Sequence, residues 1–466
     1  MKVISSLLLL ALLAVADLAA QTASGSISGS VHDAQGASLA SAKIVITDQD
    51  KRSVIEAQAD SQGRFTFPQL QPGNYTIVIT APGFRKIEQK NIVLNVNDKL
   101  ALTTFVAEVG SVDQTIEISA QALELQTESA ERGSAIVGKQ LQNVAVNGRG
   151  YLALVGLAPG VVSTVNLQTA GSGGLGAISA NGARTSQNNL TLDGIGNVDT
   201  GSNGGQLATI SLDSVQEFKI LTSAYQAEYG RSSGAQISVI TKSGSSEFHG
   251  SGYLFHRHEG LNANNWKNNR DGLQRNKYRY NDPGYTIGGP VYIPKLFNTN
   301  KDKLFFFWSQ EYQLQLVPQG TRNVTMPTAL ERKGDFSQTV DNNGNPFPYI
   351  RDPLQSLPCN ATNLGGCFAA GGVLGRVPAD RLYAPGLAIL NFYPLPNAQS
   401  TANKGFNFQS QVSDTQPRRE DALRVDYNIS SKWKMFATWF TATARYGRGL
   451  TRARPCYERI VSHTSC

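Results

Sequence analysis

Few spacings in this 466-residue sequence could do chemistry. Gly171-Ser-Gly-Gly-Leu-Gly176 spells the G-x-G-x-x-G of dinucleotide-binding turns. Such a turn cradles a phosphate only when a hydrophobic strand feeds it and a helix leaves it. Neither flank is present, so the run reads as a flexible loop. His256 and His258 stand two apart on a predicted strand, hence on one face, where they could share a metal ion. Glu259 points away and no third ligand is in view, so solvated or inward-facing histidines explain the pair more simply. None of the 4 cysteines forms a C-x-x-C pair, which removes the usual zinc spacing. Cys359 and Cys367 lie eight residues apart in a long loop, a separation that permits a disulfide in an exported chain. Cys456 and Cys466 fall in a tail without readable pattern. No catalytic, cofactor-binding or metal-ligating residue is assigned, no cofactor is expected, and the chain reads as something other than an enzyme.

The surrounding composition points to strands and turns. Charged residues make up 17% and hydrophobic residues 40%, with 45 glycines. Soluble domains usually carry about 25% charge. The length suits several domains, and the apolar share suffices for packed cores. Net charge is +7, yet no nucleic-acid-binding motif accompanies the basic residues. They cluster at Arg257, Lys267, Arg270, Arg275, Lys277 and Arg279, and again at Arg418, Arg419, Arg424, Lys432 and Lys434. At the N-terminus, Lys2, the apolar run Val3–Ala16 and the small pair Ala19–Ala20 form a secretory signal over residues 1–20, with cleavage expected before Gln21. That apolar run is too short to span a bilayer as a helix, which takes about 20 residues.

Residues 21–107 form a first unit. Alternating runs at Ser41–Asp48, Arg64–Phe67, Asn74–Thr80 and Lys90–Val96 are separated by Gly and Pro turns, the pattern of a half-buried antiparallel sandwich. In Gly63-Arg-Phe-Thr-Phe67 both Phe side chains must share a face, opposite Arg64 and Thr66. About 80 residues suffice for a sandwich of about seven strands. With Ser28-Gly-Ser-Val31, Asp33, Gly36, Ala42, Leu70, Pro72-Gly73-Asn-Tyr75 and Ala81-Pro-Gly-Phe84, the stretch resembles the regulatory-like domain appended to carboxypeptidases, a transthyretin/Ig-like β-sandwich. A zinc carboxypeptidase needs an H-x-x-E pair and a distant His, and His32 is the only His before residue 249. The sandwich is therefore expected to be a binding or spacer module.

Residues 108–245 change character. Val112–Ser119 alternates, Lys139–Asn143 and Tyr151–Leu157 read as short helices, and Asn189–Leu192, Val215–Leu221 and Gln236–Thr241 as strands, giving a small mixed α/β unit. Asn147-Gly-Arg-Gly-Tyr-Leu152 with Pro159-Gly-Val161 is similar to the plug domain of Oar-like TonB-dependent outer-membrane receptors. So is Asn181-Gly-Ala-Arg184 leading to Asn188-Asn-Leu-Thr-Leu-Asp-Gly194. The resemblance continues through Val215-Gln-Glu-Phe-Lys219, Ala227-Glu-Tyr-Gly-Arg231, Val239-Ile-Thr-Lys-Ser-Gly244 and Glu247-Phe-His-Gly250, in the family's order.

From residue 246 five segments read as strands of about ten residues: Gly250–His258, Tyr285–Ile293, Lys303–Tyr312, Ala422–Ser430 and Trp433–Thr441. Leu423, Val425, Tyr427 and Ile429 share one face, and Arg424, Asp426, Asn428 and Ser430 the other. An apolar outside with a charged inside marks a membrane barrel strand. Leu304, Phe306, Trp308 and Tyr312 make a second apolar face, blurred by Phe305 and Phe307. Tyr and Trp near strand ends suit an interfacial girdle. Gly288-Gly-Pro290 and Lys301-Asp-Lys-Leu-Phe-Phe-Phe307 extend the family resemblance. Barrels of large transporters have about 22 strands of about ten residues each, whereas residues 246–466 include a strand-poor Pro/Gly/Asn-rich stretch at 318–417. This part is thus expected to be the N-terminal part of a truncated barrel, from a truncated or frame-shifted product of a longer receptor. A natural short form is the alternative. Arg454–Cys466 lacks the terminal aromatic strand that the resemblance implies.

The expected fold is mainly β: sandwich, small α/β plug, then an incomplete transmembrane antiparallel β-barrel. The resemblance implies a TonB-dependent receptor in the outer membrane, sandwich and plug facing the periplasm. Its partners would be TonB with its inner-membrane energising complex, outer-membrane lipid and lipopolysaccharide, and a small ligand such as a siderophore, oligosaccharide or peptide. Nucleic acid is not among them. Gln114, Thr115, Ile116, Glu117 and Ile118 alternate between sandwich and plug and could add to a partner sheet as an edge strand. The resemblance makes this the candidate TonB-contact segment, against an ordinary plug strand. A second function class also fits: a surface-adhesion or secretion-assisting structural protein that uses the sandwich as its interaction module.

Overall fold

The computed structural model describes residues 24–110, 115–119 and 129–444, apart from 145, 147, 165–174, 227–228, 231, 271, 342, 399–404 and 431–432. The expected signal segment, residue 114, positions 171–174 of the glycine-rich loop, and the tail with Cys456 and Cys466 lie outside the described residues. The chain divides into two compact units: Met1–Phe255 with Asn281–Gln313 and Arg418–Ala444, and His256–Tyr280 with Leu314–Pro417 and Arg445–Cys466. No helix among the described residues is long and apolar enough to cross a membrane.

In the first unit, alternation builds a sandwich of two sheets from β1 (Gly25–Asp33), β2 (Lys43–Asp48), β3 (Val54–Gln58), β4 (Arg64–Leu70), β5 (Gly73–Thr80), β6 (Lys86–Leu94), β7 (Lys99–Ala101), β8 (Phe105–Ala107) and β9 (Thr115–Ser119). One sheet runs β4-β1-β7 with β8 also on β1; the other runs β3-β2-β5-β6-β9. Phe65 and Phe67 point inward with Ile27, Ile44, Ile46, Tyr75, Ile77 and Ile79, while Arg64 and Thr66 stay exposed. Gly63 turns the chain into β4 at φ +71, and a Cβ there would sit 2.4 Å from the Val31 carbonyl, so only glycine fits. Strands β1, β3, β7 and β8 are additions to the sequence reading. Their runs are brief, or rich in Ser and Gly, and carry little period.

The plug sheet has the order β10-β15-β16-β13-β14, formed by β10 (Arg132–Val137), β13 (Asn189–Leu192), β14 (Ile195–Gly196), β15 (Val215–Ser223) and β16 (Gln236–Thr241). A separate ribbon pairs β11 (Val161–Ser163) with β12 (Ile178–Ala180). All six residues of β16 are buried, as expected of a strand covered on both faces. Helix α1 (Gly138–Asn143) lies where a helix is predicted. Tyr151–Leu157 is a 3-10 helix instead, confined between Gly150 and Pro159-Gly160. The run Thr115–Ser119 does not join the plug. It pairs in parallel with β6, because Ile116 continues the half-buried alternation of the sandwich sheet.

The barrel strands form a meander in chain order, β17-β18-β19-β20-β21: β17 (His249–His258), β18 (Arg279–Pro290), β19 (Leu304–Val324), β20 (Phe408–Asn428) and β21 (Lys434–Ala444). Strands β19 and β20 have 21 residues each, twice the predicted length, and run through Pro318 and Pro417. The stretches 318–324 of β19 and 409–421 of β20 are largely polar on both faces, which weakens the period-2 signal there. Phe305 and Phe307, which blur the alternation, are buried on the inward face with Ser309, Glu311 and Gln313. Arg424 and Asp426 are buried while Tyr427 and Ile429 are exposed, the inside-out pattern of a membrane barrel. On the outer face Trp308 stacks on Trp439 with ring centroids 6.4 Å apart.

The second unit holds the connections 259–278, with helix α2 (Trp266–Arg270), and 325–407, with helix α3 (Ala384–Leu390). The longer one is ordered by local bonds. Cys359 and Cys367 form a disulfide, Arg376 pairs with Asp335 at 2.7 Å, and Arg381 with Asp352 at 2.6 Å.

Candidate functional site

Of the residues weighed for metal chemistry, Glu259 does not point away from the histidines as expected: it reaches back to lie 3.8 Å from His258 Nε2. His256 and His258 stack with centroids 6.2 Å apart, and His258 Nδ1 accepts the Gly260 N–H at 2.9 Å. No group of three His, Cys, Asp or Glu among the described residues is placed to hold a metal.

The chemistry concentrates where plug residues meet barrel strands. Arg149, from the Asn-Gly-Arg motif, adopts φ +51 and lies almost wholly buried. Its guanidinium pairs with Asp213 of the plug, with Asp282 of β18 at 3.1 Å and with Glu311 of β19 at 3.5 Å. The rings of Phe255 and Tyr253 on β17 cover it at 4.0 and 4.8 Å. Tyr253 donates its hydroxyl to Glu311 at 2.7 Å. Burial works against the charge on Arg149, but Glu311, Asp213 and Asp282 together outweigh it and hold the guanidinium above its ordinary pKa. One plug side chain thus engages three consecutive barrel strands.

A second cluster centres on Arg424 of β20. It donates to Asp193 at 3.2 Å and to the Thr241 carbonyl at 3.0 Å, and pairs with Asp426 at 3.0 Å. Asp193 follows β13 in the Leu-Asp-Gly motif and accepts the Thr241 hydroxyl at 2.7 Å. Gly244, which ends the Thr-Lys-Ser-Gly run, lies so close to the barrel that a Cβ would fall 2.4 Å from the Phe306 carbonyl. Family motifs that read as turns and strands are therefore also contact residues.

The sandwich reaches the same region. Lys51 Nζ, buried in the turn between β2 and β3, lies 3.2 Å from Asp426 and 2.7 Å from Gln71 Oε1. In the turn between β6 and β7, Val96 N–H donates to Glu217 at 2.9 Å, and Asp98 pairs with Lys219 at 2.7 Å. Burial pushes the Glu217 carboxyl up to about 7; the Val96 N–H and Lys219 oppose the rise and Asp98 adds to it.

Of the candidate TonB-contact segment, Thr115, Ile116, Glu117 and Ile118 lie in β9, the end strand of the β3-β2-β5-β6-β9 sheet. Ile87 pairs with Ile116 and Glu88 with Glu117, and Lys90 bonds Glu117 at 2.8 Å. Sequence reasoning missed Arg149, Asp282 and Glu311 as partners. Their one available signal was isolated charge among aromatic and small residues.

The comparisons with known proteins follow this geometry. The description "Carboxypeptidase regulatory-like domain" matches residues 26–107, "TonB-dependent Receptor Plug Domain" residues 128–235, and "Outer membrane beta barrel domain" residues 240–454. In that order they are the domain set of a TonB-dependent outer-membrane receptor, and this chain carries that set. Within the class it is similar to the TonB-dependent transporter Oar of Myxococcus xanthus, 29% identical over 306 residues, which are 62% of this chain and 27% of that one. The chain thus spans about a quarter of that relative's length. Among solved structures, the outer membrane transporter YddB from Escherichia coli aligns with TM-score 0.38 and 11% identity over 67% of this chain and 33% of its own. The siderophore receptor PirA from Acinetobacter baumannii aligns with TM-score 0.32 and 15% identity over 70% and 42%.

Proposed function

We propose that this chain belongs to a receptor that binds a small ligand at the outer face and takes it up by displacing its plug, with no bond made or broken. Residues 21–107 together with β9 are read as the regulatory-like sandwich, the rest of 108–245 as the plug and 246–466 as the N-terminal part of the barrel, behind a cleaved signal at 1–20. The observation that carries the reading is Arg149, a buried plug cation whose carboxylate partners sit on β18 and β19. A plug held by ions can leave and return without exposing an apolar core. The connections support an orientation: 291–303 and 429–433 are short, 259–278 and 325–407 long, and barrels keep short turns in the periplasm and long loops outside. Ser53 of the sandwich bonds Lys434, beside the short 429–433 connection, which favours the periplasmic side for sandwich and plug. Lipid and lipopolysaccharide surround the aromatic outer face. A siderophore, oligosaccharide or peptide is the ligand class, and TonB with its inner-membrane complex the energy source.

In this reading TonB takes Gln114–Ile118 by strand addition. The test is binding of the purified TonB periplasmic domain to the full chain in detergent micelles. Ile116→Asp is expected to abolish capture, whereas Val54→Asp, in the strand at the other end of the same sheet, leaves it intact. Unchanged capture by Ile116→Asp overturns the assignment.

A further inference from the structure

The regulatory-like sandwich has no assigned part in transport, yet two of its turns are buried against other parts of the chain. Strand β15 explains how. Its alternation gives it two faces: Phe218 and Ile220 point into the plug core, while Glu217 and Lys219 point out. Both outward side chains are nearly fully buried, and their partners are Val96 and Asp98 of the sandwich. Asn97 adds a bond from its amide to Ser238 Oγ of β16 at 3.4 Å. On the barrel side Lys51 reaches Asp426, the Ser246 N–H donates to the Asp50 carbonyl at 2.9 Å, and Lys434 donates to Ser53 Oγ at 3.1 Å. Asp426 in turn holds Arg424, which holds Asp193 and Thr241 of the plug. A continuous run of buried charges joins sandwich, barrel and plug.

We propose that the sandwich is a brace for the plug: its Asp48–Ser53 and Asn95–Lys99 turns tie plug strand β15 to barrel strand β20 and hold β15, next to the end of the plug sheet, in place. Strand β10, at the end of that sheet, is left as the part free to move. In the register of the pair, Ala135 faces Lys219 and Val137 faces Glu217, so the brace grips β15 directly opposite β10. A pull arriving through residues 120–131 would then peel β10 while β15 stays fixed. The brace goes beyond the transport reading, and it holds whichever segment a partner takes.

The test is amide hydrogen exchange of the full chain in detergent micelles, which needs neither ligand nor TonB. Lys219→Asp and Asp98→Lys each leave a buried charge without its partner, and each is expected to speed exchange at 215–223 by at least ~10-fold. The double variant Lys219→Asp with Asp98→Lys restores the pair with reversed sign and is expected to recover most of the protection. Amides at 44–46 and 77–79 report whether the sandwich itself remains folded. If a single variant unfolds the sandwich, recovery in the double variant decides. Unchanged rates at 215–223 in both single variants, with the sandwich folded, overturn the brace. So does a double variant that exchanges as fast as the faster single one. A failed TonB capture with an intact charge-swap result removes the transport reading and leaves the brace standing.

Discussion

The sandwich interior and the plug-to-barrel contact are both buried, but they are built from opposite materials. The first packs Ile27, Ile44, Phe65, Phe67, Ile77 and Ile79 with scarcely a polar atom among them. The second buries Arg149, Asp213, Asp282 and Glu311, and beside them Arg424, Asp193 and Asp426. Apolar burial is non-directional and costly to reverse, about 1.5–3 kcal/mol for each large side chain. Buried ion pairs demand geometry and return little net stability, because desolvation cancels much of their attraction. Under the proposed transport reading, the difference separates a part that stays shut from one that reseats in a single register.

The largest effects should distinguish these materials. Arg149→Met strands three carboxylates, and the full chain is expected to lose about 3–5 kcal/mol of plug stability, read by denaturant unfolding. Phe67→Ala is expected to cost the sandwich a similar ~3–5 kcal/mol. The second step separates them. Adding Asp213→Asn, Asp282→Asn and Glu311→Gln to Arg149→Met removes the stranded charges and should return most of the loss. A quadruple variant as unstable as Arg149→Met alone would break the comparison, since the contact would then depend on the guanidinium's packing rather than on charge balance.

A smaller effect comes from pH. The Glu217 carboxyl rises from 4.5 to about 7 on burial. Between those values the folded chain holds a proton that the unfolded chain has lost, so the stability of this buried region weakens as pH rises across that window. The full shift corresponds to about 3 kcal/mol, fully present below pH 4.5 and lost once the folded group ionises. Hydrogen exchange at 215–223 at pH 5 and pH 7.5, corrected for intrinsic rates, measures it. Glu217→Gln should flatten the dependence; a slope that persists in Glu217→Gln assigns it to another group.

The loop 325–407 offers a third kind of construction. Neither apolar core cluster draws a residue from it. Its order rests on Cys359–Cys367, Arg376–Asp335 and Arg381–Asp352. Closing so short a ring contributes about 2–3 kcal/mol by chain entropy. Cys359→Ser with Cys367→Ser should therefore raise the rate of proteolytic cleavage near 350–370 and leave the unfolding of sandwich and plug unchanged.

How much of this could be read beforehand follows the same divide. Apolar alternation was legible: Phe65 against Arg64 and Thr66, and Arg424 and Asp426 against Tyr427. Strand ends were not. Beyond Val317 and before Ala422 both faces of β19 and β20 are largely polar, so a period of two leaves little trace. Nor does local sequence reveal that Val215-Gln-Glu-Phe-Lys219 has one face in the plug core and the other against a turn more than a hundred residues earlier. Long-range ion pairs carry no periodic signature. Arg149 carries no such signal because two of its three carboxylates, Asp282 and Glu311, arrive from strands far down the chain.

The smallest expected effect lies at β9, and its smallness matters for the proposed function. This strand is attached to β6 by parallel main-chain pairing from Lys86–Thr115 to Lys90–Ser119 and by Ile116, which is only partly buried. The Lys90–Glu117 contact is solvent-exposed. Its hydrogen bond holds Glu117 below the ordinary carboxylate range, but water and salt screen it, and such pairs add little. Glu117→Gln is therefore expected to change exchange rates at 115–119 barely at all, and less still at high salt. A strand that a partner sheet must capture has to detach cheaply, and a screened surface pair allows that where a buried one like Lys219–Asp98 would not. A large acceleration in Glu117→Gln would mean that β9 is pinned to the sandwich by charge, which would argue against Gln114–Ile118 as the segment TonB removes.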